Sequence, residues 1–275
     1  MALCAILDRS SKLPSFWEEF LISPPMAIAR WAYAYCVSYS ARRAETADSN
    51  ASDSYIRVVC ISDTHNAHSS LIVPPGDILI HSGDLTNSGT EEELHSVLSC
   101  ILSSYPNLIY LERSSTALTV RGRRVRVYGS PCTPRHGSGV FQYPRSEADW
   151  SGIPPHTDIL ITHGPPAHHL DAGGRGCWAL LQALWHVRPR LHVFGHCHDG
   201  YGTRVVNWSA SQMAYERVCA RRAGWKGVLQ IIFALLHVLV FGRPRLKEGD
   251  SILANASFVG GMRDEIRRDA VVVEL

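Results

Sequence analysis

Ile56-Arg57-Val58-Val59-Cys60-Ile61-Ser62-Asp63-Thr64-His65 reads as a buried strand that ends in two side chains able to hold a metal. Its apolar, β-branched run is the pattern of a strand covered on both faces. The arrangement recurs three times. Asp77-Ile78-Leu79-Ile80-His81 leads to Gly83-Asp84, and Asp158-Ile159-Leu160-Ile161-Thr162 leads to His163-Gly164. Arg190-Leu191-His192-Val193-Phe194 leads to Gly195-His196-Cys197-His198. Oxygen and imidazole donors at the carboxyl ends of parallel strands converge on one edge of a sheet. Strands alternating with helical stretches, such as Glu91 to about Ser104 and Cys177 to Val187, indicate an α/β layer fold.

Spacing suggests how the donors divide. Asp63 and His65 stand two apart, so both lean over the same edge. Asp84 follows a glycine that lets the backbone turn tightly, and its carboxylate can bridge two cations. His163 and His196 are each the first residue past a strand, and His198 returns to the first metal. Mixed histidine and carboxylate ligation suits two divalent ions such as Mn, Fe or Zn. Two such ions about 3.5–4 Å apart polarise phosphoryl oxygens and acidify a shared water. A lone Asp-x-His arises easily by chance; the ordered set, each member after a strand, does not.

The 275 residues are 45% hydrophobic and 19% charged, enough apolar mass for a sizeable core. A net charge of +2 is not the strongly basic balance of a nucleic-acid binder. Eight cysteines are scattered with no Cys-x-x-Cys pair, which predicts reduced, mostly buried thiols and a cytoplasmic protein. Alternation should point Cys197 away from the metals. Glu18 and Glu19 precede the first apolar stretch, the reverse of a signal peptide. A helix from Met26 to about Tyr39, docked on the core or on a membrane surface, is expected there.

Residues 1–54 read as an extension ending in a polar linker, Ala44 to Ser54, with the main domain over 55–275. Leu108 to Leu111 is expected as a short strand, and Ala117–Val120 with Val125–Tyr128 as a hairpin. An insert spans about 205–250. Within it Val228 to Phe241 is nearly all apolar, the length of a buried or interfacial helix and not of a membrane span. Trp225 and Lys226 before it, and Arg243, Arg245 and Lys247 after it, are the flanks of an interfacial segment, so peripheral membrane contact through 225–247 is a reading beside a buried helix and a partner-binding hairpin.

Longer strings sharpen the picture: Ile61-Ser62-Asp63-Thr64-His65, Ile80-His81-Ser82-Gly83-Asp84-Leu85-Thr86-Asn87, Ile161-Thr162-His163-Gly164-Pro165-Pro166, Phe194-Gly195-His196-Cys197-His198-Asp199-Gly200 and Asn255-Ala256-Ser257. Together they resemble the calcineurin-like metallophosphoesterase superfamily, in particular the brain-type metallophosphoesterase-domain proteins and their fungal relatives. The likeness covers 56–204 and about 252–275. It implies a metallophosphatase-type β-sandwich of mixed sheets flanked by helices, in αββα layers, and hydrolysis of a phosphoester, foremost a phosphodiester, by a hydroxide held between two metals. A nucleotide is one candidate substrate. By this resemblance Asp63, His65, Asp84 and His198 hold the first metal, and Asp84, His163 and His196 the second.

The family's Gly-Asn-His-Glu/Asp motif is missing between Ser104 and Leu108, as though one strand–helix unit were deleted. Three explanations stand open: a coding segment absent from this sequence, a weakened enzyme or pseudoenzyme that binds metal or phosphate, or replacement by other side chains. Glu112 is the candidate to complete the second metal, and His136 the candidate to protonate the leaving group. Arg135, Arg145 and Arg175 lie in loops expected to face the site, where guanidinium forks suit phosphate oxygens. A protein serine/threonine phosphatase is a further alternative.

Overall fold

Side chains alternate between two faces along each strand, and a sandwich follows from that alternation. The computed structural model describes residues 15–45, 55–104, 107–137, 139–241, 249–261 and 264–275. Its helices are α1 (Phe16–Ile22), α2 (Pro24–Glu45), α3 (Glu91–Ser104), α4 (Trp178–Val187), α5 (Ala210–Cys219) and α6 (Trp225–Phe241). Its strands are β1 (Arg57–Ile61), β2 (Ile78–His81), β3 (Ser114–Val120), β4 (Arg123–Ser130), β5 (Thr133–Pro134), β6 (Gln142–Tyr143), β7 (Ile159–Thr162), β8 (Leu191–Phe194), β9 (Gly202–Val206), β10 (Ser251–Asn255), β11 (Val259–Gly260), β12 (Ile266–Arg267) and β13 (Val271–Glu274).

A three-stranded sheet in the order β13-β1-β2 faces a six-stranded sheet in the order β3-β4-β7-β8-β10-β9. β1 and β2 are parallel, as are β4, β7, β8 and β10, so their carboxyl ends share one rim. The layer between the sheets holds Val58, Cys60, Ile80, Val271 and Val273 from one, and Val127, Ile159, Leu191, Val193 and Ala254 from the other. The alternate residues Tyr128, Leu160, Phe194 and Leu253 point outward, where Leu180 and Leu184 of α4 cover them. Both sheets are thus mixed, with α4 outside the larger one, in the α/β sandwich the sequence implied.

The hairpin is longer than expected. β3 and β4 pair in full register from Ser114↔Gly129 to Val120↔Arg123. Arg121 and Gly122 both take positive φ (49° and 72°), the conformation a tight two-residue turn requires. α3 begins where expected, with Thr90 and Glu93 bonding each other's backbone N–H in a capping box. The expected strand at Leu108–Leu111 is absent. These residues form no ladder, Leu108 and Ile109 are about half exposed and Tyr110 more, and only Leu111 reaches the core, packed on Gly129. β2 therefore ends the three-stranded sheet on that side.

The N-terminal helix is longer than Met26–Tyr39, because Pro24 and Pro25 open it; proline suits a first helical turn. The linker expected at 44–54 starts inside this helix, and residues 46–54 and 1–14 lie outside the described ones. Ala29, Ala32 and Tyr33 of α2 pack with Ala214, Tyr215 and Val218 of α5 and Val228, Ile231 and Leu235 of α6. The apolar insert is thus buried along one helix face. Its expected flank Arg243, Arg245 and Lys247 lies outside the described residues. Among those described, no helix is long and apolar enough to cross a membrane.

Candidate metal centre

Each strand of the shared rim delivers its donors by a local turn. Past β1, Ser62 bridges Ser257 and the chain turns at Asp63, whose φ is +50°. The Asp63 N–H is held by the Gly83 carbonyl at 2.9 Å and the His65 N–H by the Asp84 carbonyl at 3.2 Å, which locks the β1 and β2 ends together. The Gly195 N–H donates to the His163 carbonyl at 2.9 Å, doing the same for β7 and β8. His65, Asp84 and His196 also have positive φ. Backbone in this region is unfavourable for residues with a Cβ and clusters at functional sites.

Two triads result. Asp63, His65 and His198 present donor atoms within 4.8 Å of one another, and so do Asp84, His163 and His196. The Asp84 carboxylate lies between them, with Oδ2 at 3.2 Å from His163 Nε2 and 3.7 Å from His65 Nε2. That is the placement a bridging ligand needs. The His65 Nε2 atom is buried with no hydrogen-bond partner, so its lone pair is spare for a cation. The donor set of imidazole nitrogens and carboxylate oxygens fits divalent transition metals.

Neighbours fix how the donors point. His163 Nδ1 lies 3.2 Å from the Ser82 carbonyl and can only donate to it, which leaves Nε2 facing Asp84. His198 Nδ1 lies 3.3 Å from Asp264, which turns Nε2 toward Asp63 at 3.3 Å. Such carboxylate–histidine pairs are the usual support of metal-ligating imidazoles. Asp63 accepts the His196 N–H at 3.0 Å and the Ser257 hydroxyl at 2.9 Å. Gly195 must be glycine for this: a Cβ there would lie 1.9 Å from Asp63 Oδ2. His81 beneath the site is neutral; it accepts from Gly83 N–H at Nδ1 and donates from Nε2 to Thr64 Oγ1.

Burial would raise the Asp63 carboxyl, but the His198 hydrogen bond and the charges of His163 and His198 outweigh it and hold it well below the usual range. Asp84 is lowered against burial by the His163 bond. Burial would lower His163, yet Asp84 and Asp63 push it up to about 9. Burial and the His163 charge hold His196 down to about 4. The carboxylates thus call for positive charge at the centre of the cluster, which here falls on His163. A bound cation takes that role by displacing the proton.

No family model matches the chain. The Homo sapiens Metallophosphoesterase domain-containing protein 1 is 34% identical over 228 residues, covering 60% of this chain and 69% of that protein. The chain belongs to the metallophosphoesterase-domain family. The UPF0046 protein K07C11.7 of Caenorhabditis elegans is 31% identical over 54% of this chain and 65% of that protein. A protein of Emericella nidulans named Probable rhamnogalacturonate lyase C is 40% identical over 99% of this chain, which spans only 29% of that protein. That alignment runs over 314 residues against a chain of 275, so the relative carries sequence this chain lacks. A solved structure from Thermus thermophilus overlays 57% of this chain and 87% of its own with a TM-score of 0.37 and 13% identity, too distant to argue from.

Not every expected site residue reaches the two triads. Glu112 belongs to neither triad; its exposed carboxylate accepts from the Tyr110 hydroxyl at 3.1 Å, because the strand meant to carry it never forms. His136 does arrive, its ring 5.8 Å from that of His196, on a loop clamped between β5 and β6 by Gln142. Arg135 is exposed beside it. Arg145 is committed elsewhere, donating to the carbonyls of Gly176 at 3.0 Å and Arg175 at 2.9 Å. Arg175 is exposed on the loop between β7 and α4, and its charge acts on Cys197. Cys197 is buried outside both triads, with burial pushing its thiol up to about 12. No disulfide joins Cys36, Cys60, Cys132, Cys177, Cys197 or Cys219 among the described residues. Asp264 and the supporting roles of Ser257 and Asn255 escaped the sequence reading: Asn255-Ala256-Ser257 was a visible string with no assigned task, and Asp264 carries no local signal.

Proposed function

We propose that this chain hydrolyses a phosphoester, foremost a phosphodiester, at a site formed by Asp63, His65 and His198 with Asp84, His163 and His196. The observation that carries this reading is the Asp84 carboxylate set between two donor triads. Two divalent ions, of Mn, Fe or Zn type, supply an acidified water and offset charge on phosphoryl oxygens when bound. Asp84 spans the triads and fixes their separation. Ser82 and Asp264 hold the tautomers of His163 and His198. His136, one ring away from His196, is placed to give a proton to the leaving alkoxide. Arg135 and Arg175 remain available to phosphate oxygens, whereas Arg145 serves the loop.

The reading takes 55–275 as the phosphoesterase domain, 1–54 as its extension, and the cytoplasm as its location, where free thiols stay reduced. The lyase activity in the Emericella protein's name is not carried over, since most of that protein has no counterpart here. The outward face of α6 carries Trp225, Leu229, Phe233 and Val240, all more than half exposed, beside Lys226, which supports contact with a membrane surface.

The test is turnover of bis(p-nitrophenyl) phosphate with Mn²⁺, beside Asp84→Asn. Equal rates discard the enzyme reading and leave a metal- or phosphate-binding pseudoenzyme, which the second triad favours, since among the described residues it gathers only Asp84, His163 and His196. A strong preference for the aryl monoester would instead point to a phosphatase.

A further inference from the structure

The loop from Pro165 to Gly176 follows ligand His163 and carries positive φ at His168 (+68°), Leu170 (+53°) and Ala172 (+51°). Alternate left-handed residues with side chains persist only where the surroundings over-determine them. The residues between them supply that hold. The Asp171 carboxylate accepts the N–H groups of His168, Gly174 and Gly176 at 2.8–3.2 Å. His169, fully buried, puts Nε2 at 3.0 Å from the Glu216 carboxylate of α5.

Glu216 is itself 3% exposed and takes two more donors, Gln212 Nε2 at 3.0 Å and Trp185 Nε1 at 2.7 Å. A buried carboxylate with three donors is a rigid anchor. The same segment is gripped again at the His168 carbonyl, by the Tyr215 hydroxyl at 2.9 Å and Arg204 at 3.3 Å.

Between the anchors lies the Leu170 carbonyl, against which two parts of the first triad rest. Asn255 Nδ2 donates to it at 3.0 Å and to the Cys197 carbonyl at 2.9 Å. The Ser257 hydroxyl lies 2.8 Å from Asn255 Oδ1 and 2.9 Å from Asp63 Oδ2, so Asn255 seats the residue that supports Asp63. The turn that carries His198 closes on the same carbonyl: a Cβ at Gly200 would lie 2.0 Å from Leu170 O.

We infer that Glu216, outside both triads and in the insert, is a positioning residue for the first triad: it holds His169, and thereby the Leu170 carbonyl on which Asn255 and the His198 turn depend. This rests on the metal reading above. Asp84 and His163 lie off this chain of contacts, and His196 meets it only through its backbone N–H on Asp63, so the effect should fall far more heavily on the first metal than on the second.

The test uses the full chain stripped of metal and titrated with Mn²⁺ by calorimetry, with thermal unfolding measured in parallel. Glu216→Ala and His169→Ala should each weaken one of two bound Mn²⁺ about tenfold, the usual cost of losing an outer support. His169→Gln keeps a donor for Glu216 and should restore most of that affinity. Ile231→Ala, a cavity variant in the same helical cluster, should lower the melting temperature and move neither Mn²⁺. The inference is overturned if Glu216→Ala weakens both Mn²⁺ equally, or neither, or no more than Ile231→Ala. Wild-type protein that binds no Mn²⁺ overturns the metal reading and this inference with it.

Discussion

Acid should unfold this protein through His192, and its surroundings set the size of the effect. The residue is fully buried in β8, its ring 4.8 Å from that of Phe194. Thr162 Oγ1 donates to the Gly164 carbonyl at 2.7 Å and lies 2.8 Å from His192 Nε2, so Nε2 carries the imidazole hydrogen. Nδ1 is buried with no partner, and protonating it would create an unsolvated charge. Burial therefore holds the group down to about 3, from an ordinary 6.5. Between those values the unfolded chain binds a proton that the folded one refuses. Stability present above 6.5 is lost as pH falls and is gone by about 3. At about 1.4 kcal/mol per unit this amounts to about 5 kcal/mol over the whole window. Urea unfolding of wild type and His192→Phe, repeated in steps from about pH 7.5 to about pH 4, isolates the term, since phenylalanine keeps the ring and cannot titrate. Below about pH 6 the wild type should lose about 1.4 kcal/mol per pH unit more than the variant. Parallel profiles refute the reasoning.

Gly195→Ala puts a methyl carbon 1.9 Å from Asp63 Oδ2 and 2.2 Å from Ser62 Oγ, so Mn²⁺ affinity measured by calorimetry should drop at least about tenfold; an unchanged isotherm contradicts the site. Ser257→Ala removes a donor from the buried Asp63 carboxylate and should cost about 1.5–3 kcal/mol in urea unfolding near neutral pH, with no loss counting against that bond. Leu229→Ser with Phe233→Ser, both on the exposed face of α6, should abolish co-sedimentation with phosphatidylserine-containing vesicles while leaving diesterase turnover intact; equal pelleting rejects membrane contact.

Much of the sandwich was legible because its strands are short apolar runs that end in chemistry-bearing residues. Val58, Ile159 and Val193 alternate with neighbours on the other face, and period two survives any detail of packing. Asp63, His65, Asp84, His163, His196 and His198 meet because each stands at the end of such a run. What failed depended on long-range pairing. Leu108–Leu111 has strand composition, but a strand needs an edge to join, and none receives it. Glu112 went astray with it. Arg145 looked like a phosphate fork and instead satisfies two loop carbonyls, a demand set by backbone that folds thirty residues away. Asp264 and Glu216 were invisible because partners so distant in sequence leave no local trace.

The left-handed backbone at Asp63, His65, Asp84 and His196 carries one more consequence. Glycine at His65, Asp84 or His196 would relieve a clash worth about 1–2 kcal/mol while deleting a donor, whereas at Asp63 it would also strip the buried bonds to Ser257 and the His196 N–H. Evolution in the laboratory under heat alone would therefore drift toward a hardier, inert descendant, so durability and chemistry in this chain have to be selected together.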